Sequence, residues 1–198
     1  MRVVIFDYGA GNLHSIAKAI AVAGVDVVVE ADPLLATDAD ALVLPGVGAF
    51  GPAAQRLAPG AASVRRAISD GLPTIGICLG MQLLFDASDE GAGDGLGIFP
   101  GRVRKLTARR IPQIGWNSID ESSDDLVERS ELKSAYYANG YVCRPSDAGQ
   151  VTAWSTHEND RFPAVVRAGA AVGVQFHPEK SSAAGVRFLH AFLDGARR

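Results

Sequence analysis

Thr74-Ile75-Gly76-Ile77-Cys78-Leu79-Gly80-Met81-Gln82-Leu83-Leu84-Phe85 changes periodicity without a break in the chain. Its first part, Thr74-Ile75-Gly76-Ile77-Cys78, is a short and mostly apolar run, the pattern of a strand buried on both faces. Met81–Phe85 then reads as a short helix. Gly76 and Gly80 flank Cys78 and let the backbone turn sharply between the two. The same alternation extends towards the N-terminus. Residues 2–6, Arg-Val-Val-Ile-Phe, form an apolar, β-branched run, and Leu13, Ile16, Ala17, Ile20 and Ala21 recur at helical spacing until Gly24. Val25–Val29 and Ala41–Leu44 read as two more strands, and residues 51–70 as a helix interrupted at Pro59-Gly60. Strand, helix and strand in turn, with continuously apolar strands, predict an α/β fold built on a doubly wound, mostly parallel sheet flanked by helices.

The C-terminal half reads differently. Residues 86–97 form a polar loop, and 118–134 is an acidic, mostly polar stretch. Tyr136–Val142, Val151–Ser155, Ala164–Arg167 and Ala171–Phe176 are strand candidates with no helix between them, which predicts antiparallel additions to the sheet. Val186, Leu189, Phe192 and Leu193 mark an amphipathic closing helix from Ser182 onward. With no internal repeat and no clear linker, residues 1–198 are expected to form a single domain.

Composition narrows the function. The 198 residues include 19 Lys and Arg against 22 Asp and Glu, a formal charge of −3, and the sequence pI is about 5.8. That balance supplies no basic field for nucleic acid or an anionic membrane. No run approaches the length of a bilayer span, and Met1-Arg2 leads directly into Val-Val-Ile-Phe without the organisation of a secretory signal. A soluble, cytoplasmic chain is expected. Two cysteines, Cys78 and Cys143, cannot make a disulfide scaffold or a four-cysteine zinc site. Gly9-Ala10-Gly11-Asn12-Leu13-His14 lacks the third glycine of a dinucleotide fingerprint, and there is no Walker loop or His-Glu-x-x-His helix. No metal or cofactor is expected.

What remains is nucleophilic chemistry. Gly76-Ile77-Cys78-Leu79-Gly80 has the form Gly-x-nucleophile-x-Gly at a strand-to-helix elbow, which projects its central side chain from the sheet edge. A helix N-terminus beside the sulfur favours the thiolate; the alternative is a small buried cysteine at a strand end. Of the four histidines, His14 and His190 fall on helices and His157 in a polar stretch, whereas His177 ends the apolar run Ala171–Phe176. Pro178 biases His177 towards extended geometry, so Glu179, two residues on, shares its side and can orient its ring. Nucleophile, base and orienter are then Cys78, His177 and Glu179. Pro45-Gly46-Val47-Gly48 follows a strand; a peptide N–H there and the amide of Leu79 could together hold an oxyanion, the alternative being a plain turn.

Taken together, these segments resemble the class I (triad) glutamine amidotransferases, and among them the glutaminase subunits of imidazole glycerol phosphate synthases in histidine biosynthesis. The resemblance rests on Asp7-Tyr8-Gly9-Ala10-Gly11-Asn12-Leu13, Leu44-Pro45-Gly46-Val47-Gly48-Ala49-Phe50, Gly76–Phe85, Gly115-Trp116-Asn117 and Gln175-Phe176-His177-Pro178-Glu179-Lys180-Ser181, and covers nearly the whole chain. It implies a flavodoxin-like sheet in which Cys78 attacks the carboxamide of L-glutamine, His177 shuttles the proton and Glu179 orients His177. It further implies that Gln82 and Glu90 hold the amino-acid end of glutamine, with backbone from Gly48, Gly140 and Tyr141, and that Val47 and Leu79 serve the oxyanion. Asn12, Trp116, Tyr136 and Lys180 fall where such subunits meet a (β/α)8-barrel cyclase, to which ammonia passes within a heterodimer.

The chain departs from the family's usual residues at three places, one being Phe50-Gly51-Pro52-Ala53-Ala54, which lacks a Met common shortly after the oxyanion strand. Asn139-Gly140 stands where His-Ser is usual, and Gln113-Ile114 where His-Met is usual. The alternatives that stay open are a glutaminase subunit of another synthase, a non-catalytic partner subunit with a decayed glutamine pocket, and a generic cysteine hydrolase.

Overall fold

The computed structural model describes residues 1–9 and 13–197. Asn12, expected at a partner surface, lies outside the described residues. The first half runs β1 (Arg2–Phe6), α1 (His14–Ala21), β2 (Asp26–Glu30), β3 (Ala41–Leu44), α2 (Phe50–Leu57), α3 (Ala61–Ser69), β4 (Thr74–Ile77) and α4 (Leu79–Leu83). The second half runs β5 (Phe85–Ser88), β6 (Phe99–Lys105), β7 (Gln113–Ser118), β8 (Glu121–Ser122), α5 (Asp125–Ser130), β9 (Ser134–Asn139) and β10 (Tyr141–Pro145). It continues with β11 (Val151–His157), β12 (Asp160–Ala168), β13 (Ala171–Val174) and α6 (Ser182–Ala196).

Side chains alternate across a strand, so an all-apolar strand feeds two cores at once. In β1, Val3 and Ile5 join one apolar cluster while Val4 and Phe6 join another; in β3, Ala41 and Val43 separate from Leu42 and Leu44 in the same way. The first cluster is closed by Ile16 and Ile20 of α1 with Phe188, Leu189 and Phe192 of α6. The second is closed by Phe50 and Leu57 of α2, Val64 and Ile68 of α3, and Leu83 of α4. Three layers result, helices over both faces of one sheet. The helical break expected at Pro59-Gly60 is a 3-10 turn over Ala58–Gly60, where a Cβ on Gly60 would lie 2.7 Å from the Pro33 ring.

The main sheet has the order β2-β1-β3-β4-β13-β12-β11-β8. From β2 to β13 neighbouring strands are parallel, whereas β12, β11 and β8 are added antiparallel, as the absence of intervening helices predicts. Smaller sheets, β10-β6-β5 and β7-β9, lie outside it. The register places Leu44 beside Gly76, and Ile77 beside Val174. The turns after β3, β4 and β13 therefore emerge side by side at the carboxyl ends of three adjacent parallel strands, where open α/β sheets bind their ligands.

Several local expectations change. The short helix sits at Leu79–Leu83 rather than 81–85, and Phe85 already opens β5, so part of the polar 86–97 stretch is strand. The acidic 118–134 stretch contains α5, capped by the Asp124 carboxylate, which accepts from the Leu126 N–H at 2.9 Å. The single strand read over Tyr136–Val142 is two strands parting at Gly140.

Candidate active site

Cys78 occupies the step between β4 and α4 with φ 48° and ψ −103°, a region L-residues rarely adopt and one that costs about 1–3 kcal/mol. Neighbouring hydrogen bonds hold it there. Its N–H donates to the Val174 carbonyl at 2.7 Å, and its own carbonyl accepts from the Gln82 N–H at 3.1 Å. The flanking glycines are required by space. A Cβ on Gly76 would lie 2.6 Å from the Gly80 carbonyl carbon, and one on Gly80 would collide with the Leu44 carbonyl oxygen. The thiol is 7% exposed, enough to present one edge at the end of the sheet.

His177 ends the turn after β13, extended at φ −102° and ψ 95° as Pro178 demands. Its Nδ1 and the Glu179 carboxylate oxygen Oε1 are 2.9 Å apart. Pro178–Lys180 is a 3-10 turn, and that turn, not the continuing extended chain expected from Pro178, brings Glu179 back to the ring. The other edge of the imidazole faces Cys78. A Cβ on Gly46 would sit 2.9 Å from His177 Cε1 and 3.0 Å from Cys78 Cβ, so ring, thiol and the Pro45-Gly46 turn converge on one spot. Burial by itself lowers the pKa of His177, but hydrogen bonds and charge from Cys78 and Glu179 outweigh it and hold it up to about 10. At neutral pH the imidazole is thus a loaded proton donor beside the sulfur. The sequence reading also credited a helix N-terminus with favouring the thiolate. Helix α4 spans only Leu79–Leu83, little more than one turn, so it carries only a short helix's dipole.

The remaining histidines are structural where the structure gives their bonds. His190 Nε2 lies 3.0 Å from the Ala19 carbonyl and His157 Nε2 lies 3.0 Å from that of Arg110. Cys143 is fully buried on β10, and burial pushes its thiol well above the usual range, which makes it unreactive. Among the described residues no group of three His, Cys, Asp or Glu side chains is placed to hold a metal ion.

The family model of class-I glutamine amidotransferases matches residues 4–195. The chain belongs to the class-I glutamine amidotransferase family. It is 43% identical over 97% of its length, and 92% of the relative's, to the imidazole glycerol phosphate synthase subunit HisH of Halobacterium salinarum. It is 40% identical to the same-named subunit of Chlorobaculum tepidum, over 97% of this chain and 99% of that one. Among solved structures, a glutamine amidotransferase superposes with a TM-score of 0.76 at 20% identity, covering 98% of this chain and 99% of that one, which shows the fold. PurLQS from Thermotoga maritima does so at 0.69 and 19%, covering 98% of each.

Like other amidotransferases of the class, the chain is a glutaminase, and the substrate residues expected from the resemblance fall into two groups around the triad. Gln82 is 4% exposed, and its Nε2 donates to the Tyr141 carbonyl at 3.3 Å. Asn139 donates to that same carbonyl at 3.1 Å, so the residue that replaces the usual histidine pins the β9–β10 junction at Gly140. A Cβ on Gly140 would meet nothing closer than 3.5 Å, so the missing serine leaves no strain behind. On the opposite side Glu90 is exposed, and its Oε2 accepts from the Phe50 N–H at 3.0 Å, which ties its loop to the turn carrying Val47 and Gly48. Gly48 has φ +103°, open only to glycine at little cost. Leu79 opens α4, so its N–H has no acceptor within the helix and is available at the elbow.

Trp116, Tyr136 and Lys180 form one surface. Trp116 is 55% exposed, its ring packs edge-on against Tyr136 at 6.5 Å, and Lys180 Nζ stands 6.0 Å from the Tyr136 centroid. The patch is wired to the triad through backbone: the His177 N–H donates to the Tyr136 carbonyl at 2.8 Å. A cavity of about 220 Å³ opens between the Pro45-Gly46-Val47 turn, Leu13, Ser15 and Ile16 at the start of α1, and Glu179 and Lys180; Lys180 is the one residue of this patch that lines it. Cys78 and His177 do not line it. Two residues close to the triad escaped the sequence reading: Gln175, whose Nε2 lies 3.6 Å from Cys78 Sγ, and Ser181, whose hydroxyl donates to the His177 carbonyl at 2.7 Å. A signal existed for Gln175, a polar side chain inside an otherwise apolar run.

Proposed function

We propose that the chain is the glutaminase subunit of an imidazole glycerol phosphate synthase, working as a heterodimer with a (β/α)8-barrel cyclase. Cys78 thiolate adds to the carboxamide carbon of glutamine, and the oxygen takes up the negative charge beside the Leu79 N–H and a peptide N–H of the Gly46–Val47–Gly48 turn. His177, protonated and held by Glu179, gives its proton to the leaving nitrogen. Ammonia departs, leaving a thioester on Cys78. Water then attacks the thioester, His177 takes up the proton, and glutamate leaves as the thiolate is restored. Gln82, Glu90, Gly48, Gly140 and Tyr141 hold the amino-acid end of the substrate. No cofactor enters any step.

The observation that carries this reading is the convergence of His177, Cys78 and Gly46 on one point, with Glu179 hydrogen-bonded behind the ring. Near-full-length identity of 40–43% to subunits named for imidazole glycerol phosphate synthase supports the assignment to that complex. The exposed Trp116 and Lys180 with the half-buried Tyr136 between them support the docking face, and the cavity that reaches Lys180 supports an exit for ammonia towards it. No helix among the described residues is long and apolar enough to cross a membrane, and the cytoplasm is proposed as the site of action.

The test is glutamate release from glutamine by the chain alone, and by the chain with a barrel cyclase and its ribonucleotide ligand. Release that rises steeply only in the full mixture supports the assignment. Folded protein that releases none in any mixture refutes it, and equal release with and without the cyclase refutes the coupling.

A further inference from the structure

Gln175 is fully buried, and its backbone is already committed, the N–H donating to the Ala164 carbonyl at 3.0 Å. The β13–β4 register pairs Val174 with Ile77, which brings Gln175 alongside Cys78 one step further on. A bend at Gln175 and Phe176 carries the chain from the end of β13 to His177. Gln175 Nε2 lies 3.6 Å from Cys78 Sγ, while its Oε1 is buried with no partner. Burying an amide with one end unsatisfied costs about 1–3 kcal/mol, and Gly173, two residues back, faces the apolar Met81 and Val166. Packing therefore does not account for a glutamine here. A donor aimed at the sulfur does.

We propose that Gln175 is a positioning residue for the nucleophile: its amide N–H donates to the Cys78 sulfur, stabilising the thiolate and fixing its direction before glutamine arrives. This rests on the reading of Cys78 as nucleophile. His177 donates from one side and Gln175 from another, so two donors hold the thiolate until it adds to the carboxamide carbon. The other titratable groups around the sulfur are Glu179, behind His177, and the buried Cys143 thiol on β10; substitution at Gln175 changes neither.

The test uses the full chain and iodoacetamide, with modification of Cys78 followed by mass spectrometry across pH. The thiolate displaces iodide and forms a carbon–sulfur bond, so the rate reports the thiolate directly. Gln175→Met, similar in length but without a donor, is expected to alkylate about tenfold more slowly at pH 6.5 while keeping the high-pH plateau, the size of one hydrogen bond to a charged group. Gln175→Glu, which places a carboxylate against the sulfur, is expected to be slower still. If the Met variant does not fold, Gln175→Asn, whose shorter arm withdraws the donor, carries the same expectation. A folded variant with the wild-type profile overturns the proposal and leaves Cys78 as nucleophile untouched. A wild-type Cys78 no more reactive at pH 6.5 than an ordinary free thiol overturns both. A purely structural glutamine would lower stability and leave the pH profile where it was.

Discussion

Gly46→Ala puts one methyl group into the spot where the triad converges. The new carbon would lie 2.9 Å from His177 Cε1, 3.0 Å from Cys78 Cβ and 3.0 Å from the Ile77 carbonyl oxygen. Carbon atoms at rest sit about 3.5–4.0 Å apart, so the ring and the thiol must each retreat by about half an ångström or more. Ile77 cannot give way, because β4 is paired on both sides, with β3 and β13. The imidazole is the softer neighbour, tethered through Nδ1 to Glu179 but free to tilt away from the sulfur. Misplacing a reacting group by about 1 Å costs on the order of 10²-fold in rate, or about 2.7 kcal/mol of barrier. Overpacking costs about 1–3 kcal/mol of stability, and the stiffer unfolded chain returns about 0.4–1 kcal/mol. A domain stable by about 5–15 kcal/mol survives that, so the fold persists while the chemistry fails. Glutamate release by the complete complex and the calorimetric melting temperature check the two halves separately. A folded Gly46→Ala protein within threefold of the wild-type kcat would refute the convergence. Gly80→Ala is the contrasting variant: its methyl meets the Leu44 carbonyl in the sheet itself, and no folded protein is expected from expression and circular dichroism.

Glu179→Gln removes the carboxylate that helps raise His177, so the alkaline limb of the glutaminase pH–rate profile should move from about 10 to lower pH, with a loss of roughly 10²-fold at pH 8. The same raised group makes a stability contribution that is complete below about pH 6.5 and fades as pH climbs through 10; urea titration at pH 7 and pH 10.5 should show wild type losing more stability over that range than Glu179→Gln. Asp124 has no exposed side-chain surface and binds Arg167, Thr152 and the Leu126 N–H; Asp124→Ala removes the α5 cap and leaves the half-buried Arg167 only Asp125 at 3.5 Å, and should cost about 2–3 kcal/mol in urea unfolding. Trp116→Ala, at an exposed position, should change stability by no more than about 0.5 kcal/mol yet weaken binding to the barrel cyclase about tenfold or more by titration calorimetry.

How much of this was legible in the sequence depended on which side of residue 85 it lay. The runs in β1, β3 and β4 are buried on both faces and so read as unbroken apolar segments. Strand β6 was invisible for a physical reason. Phe-Pro-Gly-Arg-Val-Arg-Lys buries only Phe99 and Val103, and an irregular register opposite β5 breaks the two-residue alternation that marks a half-buried strand. Helix α5 is too short to show a period, and its one strong signal, the Asp124 cap, is indistinguishable from its acidic surroundings. In the site, Cys78, His177 and Glu179 could be found because elbow glycines and a proline constrain the backbone around them. Gln175 shows only as a polar residue in an apolar run, because what it touches, Cys78, is distant in sequence. Asn139 looked like a sign of decay; the structure shows it holding the Tyr141 carbonyl that Gln82 also uses.

The bonds around His177 bear on how an occupant of the Trp116–Lys180 patch acts on the chemistry. A bound protein changes reactivity only through contacts that differ between two arrangements of the site. On this face the side chain of Tyr136 meets Trp116 and Lys180, while its backbone serves the catalytic turn on both sides: the carbonyl accepts from the His177 N–H at 2.8 Å, and the N–H donates to Ser181 Oγ at 2.9 Å. Ser181 in turn donates to the His177 carbonyl at 2.7 Å, closing a ring of three short bonds. Any shift of β9 under the Tyr136 ring is therefore carried to His177 by main chain rather than by side-chain jostling. The His177 ring is also hydrogen-bonded to Glu179 and stands over Gly46, so a shift of the His177 backbone changes its contact with the Gly46–Val47 turn. The proposed docking patch and the proposed oxyanion turn are thus joined through His177.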